Sequence, residues 1–212
     1  AALFTVLLAF VHYRIKPDRV TPILALALLC SGGMDAFHTL AADRILEGAA
    51  PNTDLIPFTW ALSRVFHVLI MMTGVAIVLF RRKANADKGP NLRFIAGVGV
   101  GFLAISYAVI HVCASSEVLP QTMFPDSMIT RPWDVGPLVL YAFAGIFLFR
   151  PLYQREPSLF SHALLIGLLP EVATEMHMAF GSVALFDSHF NIAHSLKILA
   201  YGVPLGGLCP DY

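Results

Sequence analysis

The sequence predicts an all-α fold: a polytopic membrane protein built as a seven-transmembrane-helix bundle, with its N-terminus outside and its C-terminus cytoplasmic. Three observations predict it. Of 212 residues, 57% are hydrophobic and only 13% charged, with a mean hydropathy of +0.71, whereas a soluble domain has about a quarter charged residues. Seven apolar stretches approach the roughly 17–25 residues that a span needs. The basic residues of the connecting loops alternate from one side to the other, and that bias sets orientation.

Taken in order, the expected spans are Ala1 to Tyr13, Thr21 to Ala42, Ile56 to Phe80, Phe94 to Ala114, Val135 to Phe149, Leu159 to Phe180 and Phe190 to Leu208. Together they read as one domain over residues 1–212. The first begins inside an apolar run with no basic segment ahead of it, so the sequence is expected to start within a longer product and to carry no signal peptide. The fifth is short and is expected to borrow Pro132 and Trp133, an aromatic suited to the membrane interface. In the sixth, Pro170 removes one backbone hydrogen bond beside Glu171 and should kink the helix. Loops on one side hold Arg14, Lys16, Arg19, Arg81, Arg82, Lys83, Lys88, Arg93, Arg150 and Arg155, against Arg44 and Arg131 on the other. The richer side is cytoplasmic. The long outer loop, Ser115 to Asp134, contains Pro120, Pro125 and Pro132 and is expected to cap the outer face.

Composition also excludes some functions. With 14 basic and 14 acidic residues the net charge is zero, so no nucleic-acid partner is expected. Cys30, Cys113 and Cys209 are odd in number and far apart, which argues against a disulfide framework.

Depth below the outer boundary, at about 1.5 Å per residue, turns scattered polar residues into a pattern. His38, His111, His177 and His194 come out about 5–6 Å deep, Glu175 about 8 Å, Asp35 and Lys197 about 10 Å, Arg64 about 12 Å, Glu171 about 14 Å and His67 about 16 Å. His189 falls in the outer loop. Helical spacing puts Asp35, His38 and Thr39 together, then Trp60, Arg64 and His67, then Glu171, Thr174, Glu175 and Met178, then His194, Lys197 and Tyr201. Ionisable residues in spans normally face the bundle interior and pair there. Asp35, His38, Arg64, His67, His111, Glu175, His177, His194 and Lys197 are therefore the expected ligand-binding residues. Either Asp35 or Glu175 would neutralise Lys197, and Arg64 would hold the other carboxylate in bidentate fashion.

Several chemistries fit such a site. Neutral imidazole ligates copper, zinc and iron, so His38, His111, His177, His189 and His194 could supply a metal or haem site assembled across helices. A zinc-dependent membrane hydrolase in the style of the seven-span ceramidases is a second reading, with Asp35, His38, His189 and His194 contributing. A lysine in the seventh span is also found in retinal proteins, but Ala193 stands where an acid would be expected four residues before it. The plainest alternative is a polar network that only holds helices together.

The strings "GGMDAFHTLAADRIL", "NTDLIPFTWALSRVF", "VLPQTMFPDSMITRPWDV", "PSLFSHALLIG" and "HMAFGSVALFDSHFNIAHSLKILAYGVPLGGLCPDY" resemble membrane-associated sensor domains of the MASE type, the third class most closely. The D-x-x-H-T-L element of those domains matches Asp35, His38, Thr39 and Leu40. Their late H-x-L-K element matches His194, Leu196 and Lys197. The resemblance implies a multi-pass input module in the inner (plasma) membrane, not itself an enzyme, acting as a homodimer on a cytoplasmic kinase or cyclase output domain of the same polypeptide. It brings no ligand, so the site residues rest on depth and spacing.

Overall fold

Each apolar run of the sequence becomes one helix. The computed structural model describes residues 1–18, 20–46, 48–80 and 92–209. Among them lie α1 (Ala2–Ile15), α2 (Val20–Ala42), α3 (Asn52–Phe80), α4 (Leu92–Ser115), α5 (Pro132–Arg155), α6 (Leu159–Phe180) and α7 (Ser188–Leu208), with no strand. Five of these, α2 to α6, are long and apolar enough to cross a membrane. α1 has only 14 residues, and α7 is diluted by His189, Asn191, His194 and Lys197.

The boundaries differ from the expected ones where polar residues continue a helix that hydropathy alone cannot follow. α3 begins at Asn52, ahead of Ile56, with Asp54 in its first turn, where a carboxylate suits the positive end of the helix dipole. α5 is longer than the expected Val135 to Phe149. Pro132 opens it, since a proline at the first position has its φ already set for the helix. It also continues past Phe149 through a wider π turn, Gly145–Phe149, where the Arg150 N–H bonds the Gly145 carbonyl five residues back. Such a turn relieves the clash that Pro151 would otherwise cause. α6 starts from a reciprocal cap in which Ser158 Oγ accepts from Ser161 N–H.

Loop hydrogen bonds fix which helix ends lie together. Ala49 N–H donates to the Ala114 carbonyl at 2.9 Å, and Thr130 Oγ1 to the Ala179 carbonyl at 3.1 Å. These tie the C-terminal ends of α4 and α6 to the loops that follow α2 and precede α5. At the opposite end Arg155 donates to the Leu79 carbonyl, joining the C-terminal ends of α3 and α5. The helices therefore alternate in direction. The loop before α5 folds back over the first end, bringing the Arg131 guanidinium 5.7 Å from the Phe190 ring centroid. Among the basic loop residues that argued for orientation, Arg19, Arg81, Arg82, Lys83 and Lys88 lie outside the described residues.

Small residues let helices approach where hydrocarbon gives no drive for association. Within the helices, Gly207 on α7 is such a place. A Cβ there would run into the Ala163 side chain and meet the Leu159 carbonyl oxygen at 3.0 Å, and backbone cannot yield. Gly206 has nothing within 4 Å of an added Cβ. Gly207→Ala should therefore cost about 1–3 kcal/mol through overpacking, whereas Gly206→Ala should raise stability by up to about 1 kcal/mol through helix propensity. Melting curves of the two variants in one detergent compare them directly.

Candidate functional site

The polar stripes of α2, α3, α6 and α7 meet inside the bundle. Asp35, on α2, is the hub. Its Oδ1 lies 2.5 Å from Arg64 Nη2 and 2.6 Å from Lys197 Nζ, so two cations share one oxygen. Its Oδ2 accepts from the Tyr201 hydroxyl at 2.7 Å. Because that proton is committed, Ser31 Oγ must be the donor in its 2.8 Å contact with Tyr201. Arg64 reaches the other way with Nη1, 3.0 Å from Glu171 Oε2 on α6. Arg64 is fully buried. Two cations and two carboxylates thus balance in an environment where an unpaired charge is very costly.

Two histidines stand above the hub with defined tautomers. Thr59 Oγ1 donates its proton to the Leu55 or Ile56 carbonyl, so in the neutral ring His38 Nδ1 must be the donor to Thr59 at 2.8 Å. His194 Nδ1 likewise donates to the Phe190 carbonyl at 2.8 Å. Both rings are left with Nε2 as an acceptor, and His38 Nε2 is buried without a partner among the described residues. The ring centroids are 5.9 Å apart. Trp60 packs 4.4 Å from His194 and 5.6 Å from His38, with Lys197 Nζ 4.8 Å over its ring.

The start of α7 is held by Asp187, whose carboxylate accepts from Val183, Ala184 and Phe190 N–H. Slight burial pushes this carboxyl up, but the three backbone donors outweigh it and hold it below the usual range. The cap fixes where α7 begins, and hence where His194 and Lys197 fall.

Beside the hub a cleft of about 420 Å³ lies between α2, α7 and the start of α1, lined by Ala1, Ala2, Gly32, Asp35, Thr39, His194, Lys197, Ile198 and Tyr201. Its wall is mixed. It offers the Lys197 ammonium as donor, His194 as acceptor, and apolar surface around them.

Of the nine residues expected to bind a ligand, Asp35, His38, Arg64, His67, His194 and Lys197 come together. Glu175 is fully buried nearby, but both of its carboxyl oxygens lack a partner among the described residues. The expected pairing is corrected in two respects. Asp35 alone takes Lys197, and Arg64 bridges two carboxylates in place of gripping one, with Glu171 as the second. Depth alone favours Glu171, about 14 Å down, over Glu175, about 8 Å, as the partner of Arg64 at about 12 Å.

The five-histidine metal set does not assemble. His177 and His189 pair with each other, Nδ1 to Nδ1 at 2.9 Å, at the bundle surface. His111 is exposed on α4 against Tyr107. Depth says nothing about azimuth: at 100° per residue, His177 points about 200° away from Glu175. Among the described residues no three His, Cys, Asp or Glu side chains are arranged to hold a metal ion. Of the residues named for a hydrolase centre, Asp35, His38 and His194 come together, while His189 pairs with His177 at the surface.

No curated protein and no solved structure matches the chain. The family model of the MASE3 membrane-associated sensor domain matches residues 1–207, nearly the whole chain and every residue of the ion cluster. The chain belongs to the MASE3 family of membrane-associated sensor domains.

Proposed function

We propose that this sensor domain reads a small polar ligand in the cleft between α2 and α7, and that binding redistributes the partners of Asp35. The observation that carries this reading is that Lys197 and Arg64 share one oxygen of Asp35 while Lys197 also lines the cleft. A ligand oxygen that takes the Lys197 ammonium leaves Asp35 to Arg64, and a ligand hydroxyl or N–H can donate to His194 Nε2. The ligand must favour one packing of α2 against α7, because only a difference in affinity between two states shifts their populations. The last helix then passes the change to a cytoplasmic kinase or cyclase domain, in a protein oriented with its N-terminus outside. We read the assembly as a homodimer in the plasma membrane. Neutral imidazoles at His38 and His194 also make a proton a stimulus of the same site.

The competing reading is a purely structural network, which the complete satisfaction of Asp35 favours. A chimera joining this chain to a histidine-kinase reporter separates the two. His194→Ala and Lys197→Met should abolish the response of the reporter, with His194→Ala melting within a few degrees of the parent. Intact responses in both variants would sink the binding reading in favour of the structural one.

A further inference from the structure

A second and much smaller cavity borders the ion cluster at His67 and Glu171, lined by residues of α2, α3, α5, α6 and α7. Its volume is about 20 Å³, enough for one water molecule, which needs about 10–15 Å³ by this measure. Three buried polar atoms border it and have no hydrogen-bond partner among the described residues: Glu171 Oε1, His67 Nδ1 and the Tyr141 hydroxyl. Glu171 Oε1 and His67 Nδ1 are 3.3 Å apart but lack hydrogen-bond geometry. A fourth polar group comes from α7. Pro204 has no N–H to give the Ala200 carbonyl, and Ala200 and Pro204 both line the cavity. The Ala200 carbonyl oxygen lies 3.6 Å from where a Cβ on Gly167, another lining residue, would stand.

We propose that this cavity holds one structural water that joins the ion cluster to the proline break in α7. The valences match a single molecule. The water donates to Glu171 Oε1 and to the Ala200 carbonyl, and accepts from the Tyr141 hydroxyl and from His67 Nδ1–H. Four partners are at the upper end of what a buried water makes, and no group is left over. Leaving the same atoms unmet would cost each its desolvation. Through Glu171, the other carboxylate of Arg64, this water links the charge state of the cluster to the point where α7 is free to bend. That link to signalling rests on the function proposed above, whereas the water itself does not.

Two conservative variants test the water by the sign of their effect. Gly167→Ala adds a methyl that meets its neighbours at 3.6–3.7 Å, ordinary contact, so the chain folds. In a dry void that methyl would raise the melting temperature, by packing and by helix propensity. Expelling a four-bonded water lowers it, by about 2–4 °C or more. Tyr141→Phe behaves in parallel: an unbonded hydroxyl is better removed, a water-bonded one is not. The expected result is a lower melting temperature in both, measured on the full chain in detergent. Once Gly167→Ala has expelled the water, the Tyr141 hydroxyl has no partner left to lose, so the double variant should melt no lower than Gly167→Ala alone. A rise or no change in either single variant, or losses that simply add, would overturn the water. If both variants melt as expected and a chimera carrying Tyr141→Phe still responds fully, the water stands and its role in signalling falls.

Discussion

Arg64→Met should be the most damaging single substitution in the protein, costing about 3–5 kcal/mol, the range for removing one partner of a buried ion pair. Arg64 is fully buried and is the only described side chain that touches both Asp35 and Glu171. Without it Glu171 keeps no cation except a protonated His67, and Asp35 keeps Lys197 and Tyr201. Arg64→Lys should rescue little, because a single ammonium cannot span two carboxylates that the guanidinium reaches with separate nitrogens. For a chain of this size each kcal/mol moves the melting temperature by about 2–4 °C, so a fall of about 10 °C is expected in detergent. If the variant melts with the parent, the cluster contributes nothing to the fold, and its residues must be sought a role in binding alone.

The helical architecture was legible because it follows from one quantity, the length of apolar runs. Six of the seven expected spans match the observed helices to within about four residues at each end, and their direction alternates as short loops demand. The fifth was underestimated because its C-terminal turn holds Arg150, Pro151 and Arg155. Hydropathy reads these as loop, whereas a π turn and the contact of Arg155 with Leu79 make them helix. Orientation relative to a membrane is a different matter. It rests on loop charge, and much of that charge falls outside the described residues.

The site was legible in one dimension only. Depth along a helix follows from counting, and it brought Asp35, Arg64 and Lys197 to a common level. Facing follows from azimuth, which counting gives only relative to a known core residue on the same helix. His194 is correctly on the stripe of Lys197 because the two are three residues apart. His177 was grouped with Glu175 by depth although their directions oppose. Tyr201 is on the stripe of Lys197 as well, four residues after it, and Ser31 follows from the same rule, four before Asp35: Tyr201 donates to the carboxylate and Ser31 to the Tyr201 hydroxyl. Tyr141 does not follow from it: it reaches the small cavity from α5, and nothing in its own sequence neighbourhood marks it as polar in role.

Asp35→Asn and Lys197→Met together should be more stable than Asp35→Asn alone, a suppression that few other arrangements would produce. In the single Asp35→Asn variant Arg64 still has Glu171, but Lys197 loses its only ion-pair partner among the described residues and becomes a mostly buried lone cation. That should cost about 3–5 kcal/mol. Lys197→Met alone should cost only about 1 kcal/mol, because Asp35 keeps Arg64 at 2.5 Å and the Tyr201 hydroxyl at 2.7 Å. Combining them removes the lone cation and leaves Arg64 facing Glu171 as a neutral pair. Contacting charges of this kind couple by about 0.5–3 kcal/mol, so the double variant should recover several degrees of melting temperature. Additive losses would mean that Lys197 is already neutralised by something other than Asp35. The same double variant also separates stability from sensing. It restores the charge balance of the bundle but lacks the ammonium that faces the cleft, so a chimera carrying it should fold and yet stay silent to the stimulus.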